Sequence, residues 1–175
     1  AALTELRDLE LGKNVITGTI PSFLGSLTML MNLRLIENRL TGSIPTELGK
    51  NTAMKHLWLY DNALTGALPT ELGLLTAMSA VALYDNRLES TIPSELGLLS
   101  AMTNLQLNRN QLTGIIPPSL GKLSKLQLLV LQENQLTGLI PSELGNLQRI
   151  TQLFLDRNSK KNAHILLHTV MTTLY

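Results

Sequence analysis

Asparagine recurs in this sequence at a constant interval of 24 residues, and no other feature restricts the possible folds as much. The seven copies are Asn14, Asn38, Asn62, Asn86, Asn110, Asn134 and Asn158. Proline keeps the same interval from Pro21 to Pro141, and glycine keeps it from Gly25 to Gly145. A fixed repeat of this length indicates a solenoid, in which similar units stack and each contacts only its neighbours. The sequence therefore predicts a repeat protein that acts through an extended, curved surface.

Each unit follows the pattern LxxLxLxxNxLTGxIPxxLGxL. Leu33 and Leu35 alternate with outward residues, which is typical of a strand with one buried face. One strand per unit predicts an α/β protein with a parallel sheet of about seven strands. The glycine of LTG predicts a tight bend, and Ser90, which replaces it in the fourth unit, predicts a different bend there. The segment at 93–97, PSELG, predicts a short helical turn closed by glycine.

The asparagine column has a structural explanation. Where the strand turns inward, its backbone groups lose their partners in the sheet. A buried amide carries both a donor and an acceptor, so it can satisfy those groups across adjacent turns. We therefore expect the asparagines to stabilise the stack and to have no direct part in binding.

The repeats resemble the plant-type leucine-rich repeat family, whose LTGxIP segment stands here as LTGSIP and LTGIIP. The match covers residues 3–158. Similar proteins are ectodomains of receptor-like kinases and receptor-like proteins, polygalacturonase-inhibiting proteins and algal repeat proteins. The resemblance implies a right-handed solenoid that binds peptides, proteins or glycans on the concave sheet or beside it. It also implies an extracellular or membrane-attached location.

Other features of the sequence leave the compartment open. There is no cysteine, no Asn-x-Ser/Thr sequon and no recognisable secretory signal, although plant ectodomains usually have cysteine-paired caps and glycans. Leu3-Thr-Glu-Leu6 matches Leu27-Thr-Met-Leu30, so residues 1–158 are expected to form a solenoid that starts within a repeat. An uncapped start leaves leucines facing water, which predicts a fragment or an end covered by another chain.

Residues 159–175 depart from the repeat. Their apolar residues fall on one helical stripe, which predicts a helix that caps the last repeat. The residues of this stripe are Ala163, Leu166, Leu167, Val170, Met171 and Leu174. A helix on a membrane surface is the alternative, supported by Lys160 and Lys161.

Composition and motifs exclude several classes of function. A net charge of +1 leaves no electrostatic surface for nucleic acid, and no apolar run of about 18 residues predicts a membrane span. The absence of cysteine excludes disulfides and thiolate metal sites. No GxSxG, phosphate loop or dinucleotide motif occurs, so the sequence predicts neither an enzyme nor a cofactor. Asp61 and Asp85 would be neighbouring carboxylates, but an open sheet does not desolvate them for catalysis.

The outward strand positions carry the candidate binding residues. Aromatic residues make up only 3% of the chain, yet Trp58, Tyr60, Tyr84 and Phe154 are placed outward on the predicted sheet. Exposed tryptophan and tyrosine are favoured binding anchors. Arg34 and the small residues Ala80 and Ala82 flank the tryptophan in neighbouring units, which predicts a shallow slot against the indole. The predicted ligand-binding residues are Arg34, His56, Trp58, Tyr60, Asp61, Tyr84, Asp85 and Arg109.

Four of these candidate residues have another interpretation. The segment Leu-Tyr-Asp-Asn occurs twice, at 59–62 and 83–86, so its tyrosines and aspartates are equally well explained as products of duplication.

The favoured function is non-enzymatic recognition of a protein or peptide on the concave sheet. The alternatives are a scaffold or assembly subunit that packs through its repeat surface, and a glycan-binding or wall-enzyme-inhibiting module.

Overall fold

The computed structural model describes residues 3–159, which contain ten short strands and six 3-10 helices joined by turns and loops. The strands are β1 (Asp8–Glu10), β2 (Thr17–Thr19), β3 (Asn32–Arg34), β4 (Arg39–Gly42), β5 (His56–Trp58), β6 (Ala63–Leu64), β7 (Ala80–Ala82), β8 (Asn104–Gln106), β9 (Leu128–Val130) and β10 (Gln152–Phe154). The helices are Ser22–Ser26, Thr46–Lys50, Thr70–Leu74, Ser94–Leu98, Pro118–Lys122 and Ser142–Asn146. The predicted capping helix lies outside the described residues, except for Ser159.

One strand from each unit forms a parallel sheet of seven strands, in the order β1-β3-β5-β7-β8-β9-β10. The register repeats the sequence interval, so Leu9 pairs with Leu33 and Leu33 pairs with Leu57. The inward leucines of β3 and β5 are fully buried. The predicted parallel sheet and its buried leucine columns are therefore confirmed.

A second parallel sheet, which the sequence analysis did not predict, forms from the LTG segments in the order β2-β4-β6. Its threonines have a structural role, since the Thr41 hydroxyl donates to the backbone oxygen of Gly18 in the previous unit. Beyond β6 this sheet is reduced to isolated bridges, such as that between Thr91 and Thr113.

Ser90 does not bend the chain differently. Its φ is 71°, while the five glycines at this point of the repeat have φ between 72° and 87°. The neighbouring ladder is also kept, because the Thr113 amide donates to the Ser90 oxygen at 2.8 Å. The expected difference is therefore wrong, and the serine accepts a backbone conformation that suits glycine better.

The 3-10 helices are not closed by their glycines as predicted. In the helix Ser94–Leu98 the glycine, Gly97, is the fourth residue, and Leu99 is the C-cap. A Cβ on Gly97 would lie 2.4 Å from the backbone oxygen of Ser119 in the next unit. The glycine column therefore exists so that consecutive helices can pack closely.

The asparagines satisfy the backbone as predicted. The Asn86 amide nitrogen donates to the oxygens of Leu59, Leu83 and Tyr84, at 3.0 to 3.3 Å. Its side-chain oxygen accepts from the Leu64 amide at 3.0 Å. Two of these four groups belong to the previous unit, so Asn86 fastens its unit to the previous one, as every asparagine of the column after Asn14 does.

The residue before each asparagine has a left-handed backbone conformation, which the sequence analysis did not anticipate. These seven residues have φ between 51° and 57°, and they are Lys13, Glu37, Asp61, Asp85, Arg109, Glu133 and Arg157. The left-handed conformation costs a non-glycine residue about 1–2 kcal/mol. The hydrogen bonds of the following asparagine offset that cost.

Asn51 is an exception within the core. It occupies a column that is otherwise leucine, at Leu27, Leu75 and Leu99, and it is fully buried. Its amide nitrogen donates to the Leu24 oxygen at 3.0 Å, but its side-chain oxygen is buried without a partner. A buried, unsatisfied polar group costs about 1–3 kcal/mol.

We predict that Asn51→Leu raises the free energy of unfolding by about 1–3 kcal/mol, because it removes the unpaired oxygen and restores the leucine column. The Leu24 oxygen keeps its bond from the Leu27 amide. Urea denaturation followed by circular dichroism measures the change. The reciprocal variant Leu75→Asn is the matched control and should lower stability. An Asn51→Leu variant no more stable than the parent contradicts the prediction.

Candidate functional site

The eight predicted binding residues lie together on the outward side of the seven-stranded sheet, and we refer to them as the sheet-face site. They are Arg34, His56, Trp58, Tyr60, Asp61, Tyr84, Asp85 and Arg109. The strands β3 and β5 carry the first three, and the others lie just beyond strands β5, β7 and β8. Parallel pairing in register places them in consecutive units, so the fold brings all eight to one region of the sheet.

Trp58 is the centre of the first part of the site. The Arg34 guanidinium lies 5.0 Å from the centroid of the indole, within the distance at which a cation is attracted to an aromatic ring. The His56 ring lies 5.1 Å from the indole at an interplanar angle of 11°. On the other side, Trp58 pairs in register with Ala82, as the repeat interval predicts.

The slot that the sequence predicts against the indole is not open over Ala82. This residue is only 5% exposed, because the larger side chains of Trp58 and Gln106 flank it in register. Ala80 is half-buried. A ligand at this point would therefore contact the indole ring of Trp58 and not a cleft over Ala82.

Tyr60 and Tyr84 form the second part of the site. Their rings are stacked, with centroids 4.3 Å apart and an interplanar angle of 9°. Burial, followed by the proximity of Tyr60 and Asp85, raises the pKa of Tyr84 to about 12. The Tyr84 hydroxyl is therefore protonated at neutral pH.

A row of charges borders the site. Arg109 lies 3.5 Å from Asp85 and 3.4 Å from Glu133, and both carboxylates raise its pKa. Arg157 continues the row, 3.1 Å from Glu133. Asp61 is exposed and makes no ion pair within residues 3–159. Exposed pairs of this kind add little stability, so the row shapes the charge of the surface more than it holds the fold.

A small cavity of about 220 Å³ adjoins Arg34 at the N-terminal side of the site. It forms over Gly12, where later units carry larger side chains such as Tyr60. Glu10 and Lys13 also line it, so its wall carries both signs of charge. Within residues 3–159 no group of histidine, aspartate and glutamate side chains is arranged to hold a metal ion. In the same range, no helix is long and apolar enough to cross a membrane.

The sequence analysis missed two residues of this surface. Asp8 and Asn32 lie in the same column as His56, and side-chain hydrogen bonds join the three. The 24-residue interval was the signal that could have identified them, because it places all three on one line across the sheet.

Two family models and a number of solved structures match this chain. The family model described as Leucine rich repeat matches residues 100–159, and a second model of the same description matches residues 5–27. A search of the curated proteins finds no match. The matches among solved structures include several plant receptors.

One similar structure is the ectodomain of the Arabidopsis thaliana membrane receptor kinase GASSHO1/SCHENGEN3, in complex with CASPARIAN STRIP INTEGRITY FACTOR 2. It is 44% identical over 89% of this chain, with a TM-score of 0.88, and 19% of its own length is covered. The Arabidopsis receptor kinase HAESA, in complex with the peptide hormone IDA and the co-receptor SERK1, is 38% identical. This match covers 89% of this chain and 26% of HAESA, with a TM-score of 0.86.

A third similar structure, PEPR1-AtPEP1, is 28% identical and has a TM-score of 0.76. The match covers 89% of this chain and 29% of that one. The chain therefore spans between about a fifth and a third of the length of the receptors that it matches.

Proposed function

Because this chain is a leucine-rich repeat protein, similar to the ectodomains of plant receptor kinases, we propose that it is a non-enzymatic module that recognises a protein or peptide. The ligand lies on the concave sheet and contacts the sheet-face site. The observation that carries this proposal is the grouping of Trp58, Tyr60 and Tyr84 on the outward side of a core built from leucine.

The chemistry of the site favours a peptide. Trp58 supplies a large aromatic surface, and the stacked tyrosines supply polar tips beside a rigid apolar body. Asp61 and Asp85 provide negative charge at the site, and Arg34 and Arg109 provide positive charge. A peptide offers apolar, cationic and anionic groups at short spacing, so it can match all three features in one extended segment.

We predict that Trp58→Ala weakens the capture of a peptide ligand by about 30-fold or more, because truncation of a central aromatic residue typically costs at least about 2 kcal/mol. The experiment selects from a random peptide library displayed on phage against the immobilised parent protein, with removal of peptides that bind the bare support. Titration of the selected peptides then gives the affinity of each protein.

Phe154→Ala is the matched control. Phe154 occupies the same column as Trp58 but lies four units further along, and it is 44% exposed. Its removal should leave the affinity unchanged. Peptides that bind the Trp58→Ala variant as tightly as the parent contradict the proposed site. An array of oligosaccharides serves as the second probe, and Trp58-dependent binding there supports the glycan-binding alternative.

A further inference from the structure

Asp8, Asn32 and His56 form a hydrogen-bonded row across β1, β3 and β5, at the N-terminal border of the sheet-face site. The Asn32 amide nitrogen Nδ2 donates to Asp8 Oδ1. On the other side, Asn32 Oδ1 lies 2.5 Å from His56 Nδ1. We call these three residues the Asp8–Asn32–His56 row.

The carboxylate of Asp8 determines the direction of the hydrogen bonds in the Asp8–Asn32–His56 row. An ionised carboxylate has no proton to give, so it can only accept a hydrogen bond. The amide of Asn32 must therefore turn its NH₂ group towards Asp8. The opposite side of the amide, its oxygen Oδ1, then faces the imidazole of His56.

The amide oxygen in turn decides which nitrogen of His56 carries the proton. A carbonyl oxygen can only accept, so Nδ1 must hold the hydrogen that lies between Asn32 and His56. A neutral imidazole has a single N–H, which leaves Nε2 as a bare acceptor. The hydrogen bond at one ring nitrogen sets the role of the other.

The free nitrogen is available to a ligand. His56 Nε2 makes no hydrogen bond within residues 3–159, and it is not among the buried unpaired atoms of this part of the chain. The half-buried ring is held nearly parallel to the indole of Trp58, at 11°. Its orientation is thus fixed twice, by Asn32 through Nδ1 and by Trp58 through the ring plane.

We infer that Asp8 and Asn32 are positioning residues that hold His56 in the Nδ1–H tautomer, so that Nε2 accepts a hydrogen bond from an N–H or O–H group of the ligand. The inference rests on the proposed function, since it assigns a role within the same recognition surface. It names the matching chemistry of the ligand, a hydrogen-bond donor placed next to the group that covers Trp58. Asp8 acts only through Asn32, and Asn32 acts only through His56.

The tautomer is measured without any ligand. Long-range ¹H–¹⁵N correlation spectra of the ¹⁵N-labelled protein are recorded through a pH titration and read where the imidazole is neutral. His56→Gln removes and so assigns the signals of His56, while His164 and His168 provide signals in the same spectra. We expect the parent protein to show a protonated Nδ1 and an unprotonated Nε2 on His56.

Variants then test the two positioning residues. Asp8→Ala and Asn32→Ala should both return His56 to the Nε2–H tautomer that a free imidazole favours. Glu10→Ala is the matched control, because it removes another exposed carboxylate of β1 that is not in the row, and it should leave the tautomer unchanged. An Nε2–H tautomer in the parent protein overturns the inference, and so does an Asp8→Ala variant that keeps the parent tautomer.

The role of His56 Nε2 in recognition is tested by measuring how tightly the variants bind the peptides selected for the parent protein. Loss of one neutral hydrogen bond predicts that Asn32→Ala binds them about 3- to 10-fold more weakly than Glu10→Ala does. Equal affinities of the two variants, with the tautomer changed only in the first, overturn the role of Nε2 in binding. A selection that yields no peptide counts against the proposed function, while the tautomer measurement still decides whether the row orients His56.

Discussion

Asn86→Ala is expected to lower the free energy of unfolding by about 1–3 kcal/mol, because the buried Leu64 amide is left without a partner and an unsatisfied buried group costs about that much. The Leu64 amide donates only to Asn86 Oδ1 among the bonds described, and Leu64 is fully buried. The Leu59 oxygen also loses the bond from Asn86 Nδ2 at 3.0 Å but keeps the bond from Asn62 Nδ2 at 3.1 Å. Denaturation in urea, followed by circular dichroism, measures the loss.

The effect should also change the cooperativity of unfolding. In a solenoid each unit is stabilised by its neighbours, so a break at the centre weakens the coupling between the units on either side. We therefore expect a broader transition in the Asn86→Ala variant as well as a lower midpoint.

Asn14→Ala is the matched control for this prediction. Asn14 is exposed, and its side chain bonds only to the oxygens of Leu11 and Gly12 in its own unit. Its replacement should cost less than about 1 kcal/mol. If the two alanine variants lose equal stability, the asparagines do not act by fastening one unit to the next.

Gly97→Ala is expected to lower the free energy of unfolding by about 3 kcal/mol, through overlap of atoms and without any backbone strain. The new Cβ would lie 2.4 Å from the Ser119 oxygen and 2.7 Å from its carbonyl carbon. These are backbone atoms, so the overlap cannot be relieved by rotation of a side chain. The two consecutive 3-10 helices have to move apart, and the packing between their units is lost.

Gly66→Ala separates this effect from the ordinary cost of replacing a glycine. Gly66 has a φ of 77°, but the nearest neighbour of a Cβ there, in Ser43, is 3.4 Å away. Its replacement should cost about 1–2 kcal/mol from the left-handed conformation alone. Thermal denaturation ranks the two variants, and a Gly97→Ala variant more stable than Gly66→Ala contradicts the close-packing role.

The periodic part of the site was predictable residue by residue. In a parallel stack the pairing register equals the repeat interval, so Trp58 had to lie between Arg34 and Ala82 once the 24-residue step was known. The same interval separates Asp85 from Arg109, and their side chains lie 3.5 Å apart. The predicted role of these residues in binding remains a prediction, which the peptide selection tests.

Other features could not be predicted, because they depend on distances that a repeat interval does not contain. The interval placed Gly97 at the end of a helical turn, but its packing against the Ser119 backbone follows from how closely consecutive units approach. Likewise, the sequence shows that Ala82 is small, but its burial depends on the larger side chains that flank it on the adjacent strands.

The sequence by itself determined the period, the buried leucine columns and the asparagines that join the units, because all three repeat with the chain and are imposed by backbone hydrogen bonding and burial. The tertiary structure alone decided how individual side chains meet across the units. The stacking of Tyr60 on Tyr84, the unpaired oxygen of Asn51 and the hydrogen bonds from Asp8 through Asn32 to His56 are such contacts. Each depends on rotamers and on separations of a few ångströms, which the spacing of residues along a chain leaves open.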